Sequence, residues 1–288
     1  MVMSRKYHGK ILLFGEYTIL HGGEALAIPS QQFYGHWIFK ESKEKPANQD
    51  LKNWLDYLKD GCSLILDLKH FEEDLNRGLI FQSNIPLGNG VGSSGAITAA
   101  LYENYGGCRV MKSLGQIKQE LSLIESFFHG QSSGIDPLVS LLHVPVRIIG
   151  LDQIEIADQM EESMLNSFFL LDSGKSRNTR SLVIQYLKMR EKPQLKRAFD
   201  ELEIYNQTII QILCSGNGID KVPFYFKMIS RLQYEVFQPM VVTDIKDIWL
   251  NGLISENFYI KLCGAGGGGF YLGYKNSEYN GSIPPVTL

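Results

Sequence analysis

Cysteine is scarce in this chain, and metal-ligand spacing is missing. The 288 residues hold four cysteines, Cys62, Cys108, Cys214 and Cys263, with no C-x-x-C pair. That excludes a zinc ribbon or a dithiol redox centre and suits reduced thiols in a cytoplasmic protein. His8, His36, His70 and His143 have no cysteine or carboxylate neighbours at ligand spacing, so core or surface positions are expected for them. No apolar run is long enough to span a bilayer, and Met1 to Gly9 carries no apolar signal core. The net charge of −3 argues against a general nucleic-acid surface. There is no repeat and no long low-complexity segment. No Gly-Lys-Ser/Thr follows a glycine loop, which excludes the common P-loop.

Glycine, by contrast, is concentrated. In Pro86-Leu87-Gly88-Asn89-Gly90-Val91-Gly92-Ser93-Ser94-Gly95-Ala96, four glycines and two serines fall within eight residues, directly before an alanine-rich segment with helical character. Glycine lets backbone N–H groups come close to a ligand, and a helix start adds unpaired N–H groups and the positive dipole end. Gly88, Asn89, Gly90, Val91, Gly92, Ser93 and Ser94 thus form a candidate cradle for a phosphate chain. The two hydroxyls can reach a phosphate or a magnesium ion. A flexible loop with serine caps is the plainer alternative.

The apolar share of 44% supports a sizeable core, in one large domain or two modest ones. Strands are expected at 10–14, 32–40 and 78–84, at 144–149 with 153–156, and at 168–172, 259–263 and 270–274. Helices are expected at 50–59, 61–74, 96–105, 113–128, 177–189, 193–213 and 223–236. The charged stretch 41–50 reads as a loop, and the polar stretch 157–166 separates two halves, 1–160 and 161–288. Strands and helices mix without strict alternation, which predicts an α+β fold.

A second cluster carries candidate chemistry. Glu125 and His129 are four apart and share a helix face. The chain then turns through Gly130 and Gly134 and delivers Asp136. Two carboxylates so placed can divide the work of holding a metal ion and of aligning a hydroxyl or taking its proton. Read alone, Glu125 is a solvated helix residue and Asp136 a helix cap before Pro137.

Three segments, in order, resemble the motifs of the GHMP small-molecule kinases: Gly9-Lys10-Ile11-Leu12-Leu13-Phe14-Gly15-Glu16, the glycine loop above, and Gly264-Ala265-Gly266-Gly267-Gly268-Gly269. The chain departs from the pattern at Val91, where leucine is usual, and at Gly95, where alanine is usual. The resemblance implies two α+β domains with ATP and substrate in the cleft between them. The stretch from Glu125 through His129 and Gly130 to Asp136 is similar to the mevalonate kinase branch. That likeness implies Glu125 and a loop serine, Ser94 ahead of Ser93, as magnesium ligands. It implies Asp136 acting on the substrate hydroxyl, with Lys10 paired to it. The segment Arg177-Asn178-Thr179-Arg180 is similar to a stretch of that branch that opens a helix with cations.

Candidate substrate contacts are Glu16, Tyr17, His129, Thr179, Gly266 and Gly267. Tyr17 stands where mevalonate kinases usually carry histidine, and the G-E-Y form is common in phosphomevalonate kinases. The expected activity is ATP- and Mg2+-dependent phosphorylation of a small alcohol, with mevalonate first. Phosphomevalonate or another alcohol is the alternative, and a non-catalytic binding protein of the same fold is the second. No nucleic-acid or membrane partner is expected, and a homodimer is left open.

Overall fold

The computed structural model describes residues 5–40, 49–107, 112–150, 153–157, 160, 162–176, 179–276 and 286–287. The chain divides into two units interleaved along the sequence. The first is Met1–Lys10, Pro29–Pro86 and Val91–His143; the second is Ile11–Ile28, Leu87–Gly90 and Val144–Leu288.

The first unit takes up the start of β1 (Tyr7–Phe14) and the far half of β2 (Glu24–Phe39). Residues 35–39 of β2 pair antiparallel with β3 (Leu79–Ser83). Helix α2 (Leu68–Asn76) brings Phe71 to the buried Trp37 of β2 at 6.1 Å, and α1 (Gln49–Gly61) brings Trp54 to Phe71 at 6.4 Å. A helix over 61–74 was the expectation, but α2 begins only at Leu68. Asp67 caps it by accepting from the His70 N–H at 3.1 Å, so the residues before it leave the helix.

Helix α3 (Ser93–Tyr105) is apolar nearly all round, burying Gly95, Ala96, Thr98, Ala99, Ala100, Leu101, Tyr102 and Tyr105. Its small residues let α5 (Ile135–Leu142) pack closely on it. Helix α4 (Leu114–His129) starts with a capping box in which Ser113 and Gln116 satisfy each other's backbone N–H groups at 3.3 and 2.8 Å. Its apolar stripe buries Ile117, Leu121 and Ile124.

In the second unit, residues 24–27 of β2 pair antiparallel with β4 (Val146–Ile149), which pairs in turn with β5 (Gln153–Ile156). A separate antiparallel sheet has the order β7-β8-β6-β9, with β6 (Phe168–Asp172), β7 (Phe258–Leu262), β8 (Phe270–Lys275) and β9 (Val286–Thr287). Helices α6 (Thr179–Arg190), α7 (Lys196–Ser215), α8 (Val222–Val236) and α9 (Thr243–Ser255) complete it. Phe14 meets Phe168 at 6.3 Å and Phe226 at 6.0 Å, edge to face, and Trp249 donates to Ser230 Oγ at 2.8 Å. Buried Asn206 of α7 is satisfied by the turn after β1. It accepts from the Gly15 N–H and donates to the Glu24 carbonyl, both at 2.9 Å.

Among the described residues, no helix is long and apolar enough to cross a membrane. Cys108, much of the 41–50 loop, and Arg177 and Asn178 of the cationic segment lie outside the described residues, as does the side chain of Arg180.

Candidate active site

In the first unit, β1 and the glycine loop are stitched together by the Lys10 N–H donating to the Val91 carbonyl at 2.9 Å. This fixes where the Lys10 side chain leaves the strand. Its Nζ lies 2.7 Å from Asp136 Oδ1, and the two side chains are 12% and 32% exposed, so the pair is sheltered yet reachable. Asp136 sits in the first turn of α5, and α5 lies against Gly95. A Cβ on Gly95 would fall 2.8 Å from the Asp136 carbonyl carbon and 2.9 Å from Pro137 N. Glycine at this position, where the family pattern has alanine, lets the two helices approach to that distance.

Glu125, buried to 3% exposure, is gripped through both oxygens. Ser94 Oγ donates to Oε1 at 2.8 Å, and Ser132 Oγ donates to Oε2. His129 Nε2 lies 2.9 Å from the same Ser94 hydroxyl, so the two residues on one face of α4 do converge. Burial first, and the negative charge of Asp136 second, push the Glu125 carboxyl up to about 7, against the two serine hydrogen bonds and the Lys10 charge. Gly92, with φ 76°, caps α3, whose first-turn N–H groups begin at Ser93. The result is a helix start, a lysine and two carboxylates in one place.

In the second unit, the remaining parts of the first and third motifs meet. Glu16 forms an ion pair with Lys261, and both are buried. Lys261 Nζ also donates to the Leu262 carbonyl at 2.7 Å. Tyr17 is 5% exposed, and its hydroxyl donates to the Ala265 carbonyl at 2.5 Å. The third loop runs on from there between β7 and β8. A Cβ on Gly269 would fall 2.5 Å from the Asn89 carbonyl oxygen, so this loop lies directly against residue 89 of the phosphate loop.

No protein-family model matches the chain. A mevalonate kinase of Archaeoglobus fulgidus is 24% identical over 285 residues, covering 96% of this chain and 93% of the relative. L. major mevalonate kinase, solved in complex with R-mevalonate, superposes with a TM-score of 0.61 at 16% identity, over 96% of this chain and 88% of that one. Streptococcus pneumoniae phosphomevalonate kinase, solved with phosphomevalonate and AMPPNP, gives 0.62 at 14% identity, over 96% and 92%. The chain is similar to mevalonate kinases along nearly its whole length and shares the fold of the GHMP kinases.

In this small-molecule kinase Glu125 and His129 meet as their spacing implies, and Lys10, Ser94 and Asp136 join them in one cluster, the grouping that the motif resemblance implies. Between the two loop serines, the geometry favours Ser94. Ser132 was not singled out from sequence, because nothing in a serine pair marks which hydroxyl turns inward. Its signal is local: the Gly134 N–H donates to Ser132 Oγ at 2.9 Å, a turn that aims the hydroxyl at Glu125.

Glu16 and Tyr17, expected at the substrate, are instead buried against β7 and the third loop. Glu16 keeps its carboxylate in the core because Lys261 neutralises it. Thr179 is an exposed first residue of α6. The oxygens of Ser94, Glu125 and Asp136 suit a hard cation such as Mg2+. Among the described residues no cluster of three or more His, Cys, Asp or Glu could cage a metal ion.

Proposed function

We propose that this kinase transfers the γ-phosphoryl group of ATP to the primary hydroxyl of mevalonate. The observation that carries the reading is the Lys10–Asp136 pair in the same unit as Glu125 and its serines. A non-catalytic protein has no need to bury a carboxylate beside a second one. Asp136 accepts or aligns the hydroxyl proton, the alcohol oxygen bonds to the γ-phosphorus, and ADP leaves. The Lys10 ammonium, paired with Asp136, offsets negative charge growing on the alcohol oxygen. Residues 88–94 and the start of α3 cradle the phosphates with backbone N–H groups. Glu125 and Ser94 would hold magnesium, whose charge would offset that of the phosphates. His129 and Thr179 are assigned to the substrate side, and the backbone at Gly266 and Gly267 closes over substrate and phosphates. In this reading, residues 1–160 carry the phosphate loop and the carboxylates, and 161–288 the third glycine loop.

Mevalonate as acceptor is supported by a relative of that name matched along nearly the whole chain. Phosphomevalonate is the second reading, favoured by the Gly15-Glu16-Tyr17 form of the first motif. Steady-state kinetics with ATP and Mg2+ against mevalonate, phosphomevalonate, homoserine and galactose test the choice. Turnover of mevalonate with the highest kcat/KM of the four is expected. Turnover of phosphomevalonate without mevalonate overturns the acceptor assignment.

A further inference from the structure

Tyr17 has a backbone φ of 65°, in the left-handed region that bulky residues rarely adopt. Such a conformation persists only where its surroundings over-determine it. Here the ring stacks on Tyr186 at 4.3 Å and 21°, and leans on Phe237 at 5.3 Å. The hydroxyl then lands on the Ala265 carbonyl at 2.5 Å. Its neighbour Glu16 pairs with Lys261, four residues before Ala265. Consecutive residues of the first motif thus hold the third loop where it leaves β7.

That loop needs outside support. Gly266, Gly267, Gly268 and Gly269 all have positive φ, at 73°, 71°, 146° and 67°. A run of four glycines has no side chains to hold a shape and loses much conformational freedom when ordered. Other ties hold its far part: the Gly267 N–H donates to Met240 O and the Gly269 N–H to Lys175 O, each at 2.6 Å, and the Gly269 carbonyl accepts from the Ser173 N–H at 3.0 Å and from Ser173 Oγ at 2.8 Å. The Tyr17 tie comes from a side chain at the start of the loop, so one substitution removes it and leaves the others in place.

We infer that Tyr17 is a positioning residue for the third glycine loop, its hydroxyl on Ala265 setting where the backbone of residues 266–269 stands. The inference rests on the assignment of that loop to the kinase site. It also changes what the Gly15-Glu16-Tyr17 form means. Beside its bearing on the acceptor, the phenol has a structural reason to stand there, because it reaches Ala265.

Tyr17→Phe tests this in the full chain, since it keeps the ring stack and removes only the hydroxyl. Hydrogen exchange of the peptide covering residues 262–270 is measured in the ligand-free protein, and kcat and both KM values with ATP and the best acceptor. Loss of one buried hydrogen bond should speed exchange of that peptide by roughly five- to tenfold. Exchange elsewhere should be unchanged, kcat should fall, and the acceptor KM should hold within about twofold, as expected for lost alignment. Tyr17→His, whose shorter ring falls short of Ala265, should show the same faster exchange. Unchanged exchange in both variants overturns the inference. So does a raised acceptor KM with kcat retained, because that is the signature of direct substrate contact. Faster exchange with wild-type kinetics would keep the tie and overturn the loop's part in turnover, so the two failures are distinguishable.

Discussion

Asp136 and Glu125 lie in the same cluster yet face different demands. Asp136 has a lysine at 2.7 Å, and Glu125 has only hydroxyls on its oxygens. Asp136→Asn keeps the shape and removes the charge. Turnover should fall by at least about a hundredfold, the usual scale for a lost general acid or base, with ATP binding retained by calorimetry. Ser132→Ala should raise the magnesium concentration for half-maximal turnover by roughly tenfold, the scale for losing the hydrogen bond that orients a metal-holding carboxylate, while Ser132→Thr restores it.

Glu125 also gives a pH signature in chelated, ligand-free protein. Its folded carboxyl is raised from 4.5 to about 7, so between those values the folded state holds the proton that the unfolded state releases. Stability is therefore full below about pH 4.5 and lost as pH rises toward 7, by at most about 3 kcal/mol. Urea midpoints across that range should show the decline, and Glu125→Gln should flatten it. That Lys10, Glu125 and Asp136 lie together was legible through the resemblance of their segments to the kinase motifs. Ser132, Glu16 and Tyr17 were not. Their roles depend on which face of a turn is buried and on partners up to 248 residues away.

At the scale of elements, the α3–α5 contact sets where Asp136 stands. Gly95 looks like a mild departure from the usual alanine when only the motif is read. The structure gives it a steric reason, since an added Cβ would press on the backbone of Asp136 and Pro137 at 2.8 and 2.9 Å. Backbone gives way less easily than a flexible side chain, so Gly95→Ala should push the start of α5 away. Overpacking of this kind costs about 1–3 kcal/mol, read by chemical denaturation. The accompanying fall in kcat should exceed any change in the KM for ATP. A stable variant with unchanged kcat would show that α3 and α5 have slack. Strongly periodic helices such as α4 were legible from their apolar stripe. Helix α9 was not, because it buries only Ile245, Trp249 and Gly252, too sparse a stripe to stand out. Its place is set by Gly252 packing on Phe258, with 2.6 Å left for a Cβ.

For the molecule as a whole, the fold class was legible from its mixture of strands and helices, and the acceptor was not. Mevalonate and phosphomevalonate kinases superpose on this chain almost equally, at TM-scores of 0.61 and 0.62, so overall architecture does not select between them. What architecture does dictate is closure of the second unit. That unit is built from Ile11–Ile28 as well as Val144–Leu288, and the buried Glu16–Lys261 pair joins those segments across 245 residues. Burial pushes the Glu16 carboxyl up, and the Lys261 charge opposes that rise. The lysine is also 5.1 Å from the Phe14 ring centroid, so its charge is wrapped on several sides. Removing one partner leaves an uncompensated buried charge. Lys261→Met should therefore destabilise the protein by about 3–5 kcal/mol, whereas the double change Glu16→Leu with Lys261→Met should cost much less. Urea denaturation of the three variants, with Glu16→Leu alone as the third, measures the coupling. A double variant as unstable as the sum of the singles would mean that the pair does not act as a unit, and closure of these segments would then rest on Asn206 and the aromatic core around Phe14.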